Sequence, residues 1–189
     1  EGNGFFLGNA SIELAPEHVV IKDPVFKIGI IADTIMGSKY EQPTALRNAF
    51  WIAEHEGVNL MLQMGVSAGK PTAAKKEEFH KRTATEQIEH IVKSYPSSHK
   101  FKVRLVSGHH DMTWRQDGIN IVAAVCEQRS DLCFRGDLQS DFPLQRGSSP
   151  DKWPTLKAAY HGGDSGPYSK SYAIQGFAEN LIQDVDELL

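Results

Sequence analysis

Apolar runs alternate with amphipathic stretches along the first two thirds of the chain, and this alternation predicts strands and helices in turn. The continuous apolar run at 26–32 is typical of a strand that is buried on both faces. The segment 59–64 predicts a second buried strand, and 101–107 predicts a third strand. Amphipathic periodicity predicts helices between and after them, the first with a proline in its opening turn. The predicted helices span 43–56, 77–95, 118–128 and 172–189.

The remaining apolar segments are short and indicate additional strands. A weakly alternating stretch at 18–22 predicts an edge strand, and three more strands are expected in the second half, at 132–135, 141–146 and 155–160. Strands that alternate with helices predict a layered α/β fold. We expect one domain over 1–189, in which 1–25 is an extension or an edge strand. The last predicted helix reaches Leu189 without a capping signal, so we expect the domain to be incomplete at its C-terminal end.

Composition narrows the class of protein without defining a function. The chain has 189 residues, 23% of them charged, and a net charge of -4, which fits one soluble globular domain without a general attraction for nucleic acid. No apolar run approaches the roughly 20 residues that span a bilayer. The first residues lack the features of a signal peptide, so we expect a cytoplasmic protein. Cys126 and Cys133 are expected to be half-buried thiols.

The candidate functional residues lie directly after the predicted strands. Asp33, Gly65, the segment 108–111 and the segment 161–163 each follow one of them. In open α/β sheets, ligands bind at the carboxyl ends of the strands. Carboxylate and imidazole groups supplied from several strand ends are suited to divalent metals, and a pair of metals can clamp a phosphoryl group. Taken singly, each group could instead be a turn or helix-capping residue.

The order of these motifs resembles the calcineurin-like metallophosphoesterase superfamily. Members of that family typically show strands that end in D-x-H, G-D and G-N-H-D/E, then a later histidine often followed by glycine, and finally G-H-x-H. The corresponding segments here are IADTIMGS at 31–38, NLMLQMG at 59–65, SGHHD at 107–111 and HGG at 161–163.

The resemblance implies a fold, a cofactor and a class of reaction. Segments 36–46 and 161–175 look similar to family members of bacteriophages and prophages, which implies the cytoplasm of a bacterium or of an infected host cell. The implied fold is a β-sandwich flanked by helices. The implied reaction is hydrolysis of a phosphomonoester or phosphodiester, including nucleic acid, with Mn²⁺, Zn²⁺ or Fe ions.

The match to the family's functional positions is partial. The resemblance assigns metal ligation to three residues, which are Asp33, His109 and His161. It assigns catalysis to His110, which would donate a proton to the leaving oxygen or stabilise the transition state. Asp111 would orient His110. Trp114 follows this motif closely, and we keep two roles open for it, core packing and the lining of a substrate cleft.

Several positions depart from the family pattern. Ile35 stands where the family has histidine, Val66 stands at or beside the bridging aspartate, and His109 replaces asparagine. The final G-H-x-H is absent. Because a shared carboxylate offsets the repulsion between two cations, valine at that position predicts an impaired two-metal site.

Three hypotheses therefore remain open. The chain is an impaired metal-dependent phosphoesterase, a catalytically inactive protein of the same fold with a binding or structural role, or a partial or altered sequence of an active enzyme. The other histidines are expected on the surface or on helix faces. They are His18, His55, His80, His90 and His99.

Overall fold

A computed structural model describes residues 19–22, 24–146 and 155–159 of the chain. The strands are β1 Val19–Ile21, β2 Ile28–Ala32, β3 Leu60–Met64, β4 Val103–Ser107, β5 Leu132–Asp137, β6 Gln139–Arg146 and β7 Thr155–Ala159. The α-helices are α1 Pro43–Glu56, α2 Ala84–Ser94, α3 His109–Met112 and α4 Ile121–Glu127. Two 3₁₀ helices span Ala73–Glu78 and Thr113–Asp117. The predicted helix at 172–189 and the candidate ligand His161 lie outside the described residues.

The larger sheet is parallel and has the strand order β2-β3-β4-β5. Right-handed crossovers between strands in sequential order place their connecting helices on one face of such a sheet. The main apolar cluster reflects this, because it joins side chains of the three longer helices to those of three strands. Its members include Leu46, Phe50, Met61, Ile91, Val103, Leu105, Ile121, Val125 and Leu132.

The smaller sheet has the order β1-β6-β7, in which β1 is parallel and β7 antiparallel to β6. Side chains point alternately to the two faces of a strand, so Leu60 and Leu62 of β3 face away from Met61 and the helices. They pack with Val19 and Phe142 of the smaller sheet. The prediction of a mixed α/β fold is confirmed, and β1 is the first strand of the smaller sheet as the described residues form it. Among the described residues, no helix is both long and apolar enough to cross a bilayer.

The prediction that the first apolar run is buried on both faces is wrong. Within the described sheet β2 is an edge strand, and Ile30 is 68% exposed. The smaller sheet packs over β3 rather than over β2 in the part of the chain that the structure describes. The apolar run therefore predicted the strand correctly, but it did not predict which segments pack over that strand.

The predicted helix at 77–95 is divided in two. A 3₁₀ helix ends at Glu78, and α2 begins only at Ala84. Thr83 starts the new helix with a capping box, because its hydroxyl accepts a hydrogen bond from the N–H of Glu86 while its own N–H donates to the Glu86 carboxylate. The segment between the two helices contains His80.

Arg129 connects the end of α2 to the start of β5, and we expect its replacement to be costly. Its guanidinium is 12% exposed, donates to the Pro96 carbonyl at 3.1 Å and to the Tyr95 carbonyl, and pairs with Asp131. Arg129→Gln should lower the free energy of unfolding by about 2–3 kcal/mol, because buried carbonyls lose a charged donor. Urea denaturation measures this. The exposed Arg47→Gln should change it by less than about 0.5 kcal/mol; equal effects would contradict the assignment.

The Arg129–Asp131 pair should also depend on pH. The hydrogen bond from Arg129 holds the pKa of the Asp131 carboxyl below its usual value. A carboxyl whose pKa is lowered by folding stabilises the fold above its unfolded pKa of about 4 and loses this contribution as pH falls through the folded value. The coupling in a double-mutant cycle with Asp131→Asn should therefore be present at neutral pH and fade below about pH 4.

Candidate functional site

Three loops meet at the carboxyl ends of β2, β3 and β4, which are neighbours in the parallel sheet. Asp33 follows β2, Gly65 follows β3 and Gly108 follows β4. Backbone hydrogen bonds continue between the loops after the strands end, from the N–H of Asp33 to the Met64 carbonyl at 3.0 Å and from the N–H of Gly65 to the Val106 carbonyl at 2.9 Å. The described candidate residues therefore lie on one edge of the sheet.

The loop after β2 contains two residues in the left-handed region of backbone conformation. Asp33 has φ 48° and Ile35 has φ 40°. Aspartate tolerates this region, whereas a β-branched residue rarely adopts it and histidine does so more readily. The N–H of Met36 and the hydroxyl of Thr34 both donate to the Val66 carbonyl, at 2.9 and 3.1 Å. The loop is thus held against the loop after β3, and Ile35 occupies a strained position in it.

Asp111 ties the loop after β3 to the loop after β4. Its side chain is 2% exposed, and its carboxylate accepts hydrogen bonds from the backbone N–H groups of Ser67 and Gly108, both at 2.8 Å, and of Val66 at 3.2 Å. Burial raises the pKa of the Asp111 carboxyl, and hydrogen bonds from Ser67, Gly108 and Val66 oppose that rise. Its contacts therefore position two loops, and its predicted action on His110 would pass through the backbone of α3.

His109 and His110 open the short helix α3, with their ring centroids 4.1 Å apart. His110 is half-buried. Burial and the neighbouring His109 lower the pKa of His110, whereas the charge of Asp33 opposes this shift. The Asp33 carboxylate therefore acts electrostatically on His110 across the strand ends. A lowered pKa keeps the imidazole neutral at pH 7, which is the form that ligates metals.

The loop after β3 also approaches α3 closely at Gly69. A Cβ atom on Gly69 would lie 2.7 Å from the His110 carbonyl oxygen, and its φ of +80° is itself unfavourable for other residues. The backbone of His110 is consequently fixed from two sides, by Gly69 and by the Asp111 tie.

A cavity of about 310 Å³ opens between the loop after β2 and the first turns of α1. Asp33 and Ile35 line it together with Glu41. Of the other candidate positions, Val66 is 1% exposed and joins the helix-side core. Trp114 is 5% exposed and joins the same core, which favours its packing role.

Among the described residues, a different group of ligand-type side chains meets the distance requirement for a metal site, which Asp33, His109 and His110 together do not. It consists of Glu41, His80 and His90, whose ligand atoms all lie within 4.8 Å of one another. Both histidines are among those predicted from the sequence to be ordinary surface or helix-face residues. No short motif joins the three, because Glu41 and His90 are 49 positions apart; only the fold brings them together.

No family model, curated protein or solved structure matches this chain. The resemblance to metallophosphoesterases therefore rests on the strand-end motifs themselves.

Proposed function

We propose that this chain is a phosphoesterase of the metallophosphoesterase class that uses one divalent cation at the carboxyl edge of its parallel sheet. The observation that carries the proposal is that Asp33 and the His109–His110 pair follow the carboxyl ends of β2 and β4, which lie on either side of β3 at one edge of the sheet. The two sheets would then be the layers of the family's sandwich.

The donor set favours one cation over two. Asp33 and His109 offer a carboxylate and an imidazole, which suit Mn²⁺, Zn²⁺ or Fe²⁺. Val66 is apolar and buried, so it supplies no bridging carboxylate. A bound cation would polarise a phosphoryl oxygen.

The chain's own groups would position and stabilise the phosphate ester. His110 is neutral at pH 7 and can donate a hydrogen bond to an oxygen that gains charge during the reaction. Gly69 and Asp111 hold the backbone of His110, so the imidazole projects from a fixed base. The strain at Ile35 fits a loop whose conformation suits the histidine of the family pattern better than isoleucine.

Hydrolysis of bis(p-nitrophenyl) phosphate and p-nitrophenyl phosphate tests this function. We expect a slow rate that requires added Mn²⁺ or Zn²⁺ and falls about 100-fold in His110→Asn, the usual scale for a proton-transferring or charge-stabilising group. Asp33→Asn should lower both the rate and the metal affinity. The exposed His99→Asn serves as the matched control. Equal rates in all four proteins would contradict the proposal.

A second candidate function is phosphate or metal binding without turnover. The apolar residues at positions 35 and 66 favour it, because each stands where the family pattern has a ligand. Elemental analysis after incubation with Mn²⁺ and Zn²⁺ distinguishes the two. If wild type holds no more metal than Asp33→Asn, the hydrolase proposal fails for this chain; calorimetry with inorganic phosphate then tests the binding role.

The nature of the ester is a separate question. The net charge of -4 gives no general attraction for nucleic acid. We therefore expect a small phosphate ester to be turned over at least as well as a single-stranded oligonucleotide under the same conditions.

A further inference from the structure

Three side chains from separate segments converge beside the cavity, away from the strand-end histidines. Glu41 precedes α1, His80 lies between the first 3₁₀ helix and α2, and His90 lies in α2. The Nε2 atom of His90 is 2.8 Å from one Glu41 carboxylate oxygen, and the Nε2 atom of His80 is 3.3 Å from the other. The two imidazole rings lie edge to face with centroids 5.2 Å apart.

These separations are close to those of a metal site. Zinc binds imidazole nitrogen at about 2.0–2.1 Å and carboxylate oxygen at about 2.0–2.2 Å, so tetrahedral ligand atoms lie about 3.3 Å from one another. The His80–Glu41 distance already has this value. The Nε2 atom of His90 lies 3.1 Å from the same carboxylate oxygen and would have to move by only a few tenths of an ångström.

Surrounding groups hold the three side chains in place. The N–H of Gly37 donates to the Glu41 carboxylate at 2.8 Å, and the Ser94 hydroxyl lies 3.4 Å from Nδ1 of His90. The Gly37 carbonyl accepts from the N–H groups of both His80 and Lys81 at 3.0 Å. The contacts to the Glu41 and His90 side chains are of the kind that supports ligands in metal centres, and the contact of His80 fixes its backbone.

The three side chains differ in their exposure to solvent. The side chains of Glu41 and His90 are 18% and 17% exposed, whereas that of His80 is 41% exposed. One side of the group therefore remains open to solvent.

We propose that Glu41, His80 and His90 bind a zinc-class divalent cation, with water at the remaining position. Two imidazoles, one carboxylate and a water are a recognised ligand set for zinc. The ion would join three segments that are distant in the chain. It would also fix the wall of the cavity that Glu41 shares with Asp33. This site is independent of the proposed phosphoesterase function, because it uses none of the strand-end residues.

Titration of the metal-free, full-length chain with Co²⁺, followed by displacement with Zn²⁺, tests the site. Tetrahedral Co²⁺ absorbs visible light strongly, so the spectrum reports both binding and geometry. We expect Glu41→Gln and His80→Asn each to weaken Zn²⁺ binding at least about 100-fold, since losing a supporting contact alone costs 10- to 100-fold. Zn²⁺ should raise the melting temperature of wild type by more than that of these variants, which keep only the strand-end residues as zinc ligands.

Two controls separate this site from the others. His99→Asn should bind as wild type does, and a His109→Asn/His110→Asn double variant should retain the tetrahedral Co²⁺ spectrum. Glu41→Gln is isosteric, and the side chain of His80 is exposed, so neither substitution should unfold the protein. Far-UV circular dichroism checks that both variants are folded. The proposal is overturned if both variants bind Zn²⁺ as wild type does, or if the spectrum disappears only when the strand-end histidines are replaced.

Discussion

Asp111→Ala should lower the free energy of unfolding by about 4 kcal/mol, the cost of leaving several buried N–H donors without an acceptor at about 1–3 kcal/mol each. The backbone N–H groups of Val66, Ser67 and Gly108 all donate to this one carboxylate, and Asp111 is only 2% exposed. Water cannot replace the acceptor without opening both loops. Losses above 4 kcal/mol are rare and indicate a buried polar network.

Urea denaturation followed by tryptophan fluorescence measures this effect. Asp117→Ala is the matched control, because Asp117 pairs with Lys70 at the surface and such pairs contribute about 0–1 kcal/mol. Asp111→Asn should be intermediate or nearly as severe, since its amide keeps one acceptor but turns a donor toward the N–H groups. A loss below about 1 kcal/mol in Asp111→Ala would show that the loops reorganise and that the tie is not structural.

The strands of the parallel sheet could be predicted from the sequence because their signal is local. The segments 59–64 and 101–107 are rich in apolar residues, and strands β3 and β4 lie within them. The run at 26–32 gave β2 for the same reason, but its burial depends on which segment packs over it, and Ile30 is exposed in the described part of the chain. Thr83 and Glu86 form a capping-box pattern that marks the start of a helix, but the longer periodic pattern at 77–95 masked this signal.

The sequence could predict only those parts of the candidate site whose position follows from the ends of the strands. Parallel strands bring their carboxyl ends to one edge, so Asp33 and the His109–His110 pair could be placed together from order alone. The hydrogen bonds through which Asp111 joins two loops could not be predicted, because they depend on the direction of three backbone N–H groups. Glu41 and His90 could not be joined either, because they lie on different elements and contact only through the packing of α2 beside the loop before α1.

Val66→Asp should be strongly destabilising without metal and should be recovered by metal if position 66 is a ligand position. Val66 is 1% exposed, and its N–H already donates to the buried Asp111 carboxylate. A second, unpaired carboxylate there should cost about 3–5 kcal/mol, the usual penalty for a buried charge without a partner. A divalent cation would supply that partner, particularly when Ile35→His provides the ligand that the family pattern has next to it.

Denaturation of the Ile35→His/Val66→Asp protein with and without Mn²⁺ measures the recovery. We expect the cation to restore about half or more of the lost stability, beyond any gain that wild type shows, and hydrolysis of bis(p-nitrophenyl) phosphate to rise at least about tenfold, because a shared carboxylate permits a second cation. Val106→Asp is the matched control, since Val106 is equally buried but belongs to the apolar cluster with Met64. If Mn²⁺ recovers the double variant no better than Val106→Asp, position 66 is an ordinary core position, and the ligand assignment derived from the family pattern is wrong there.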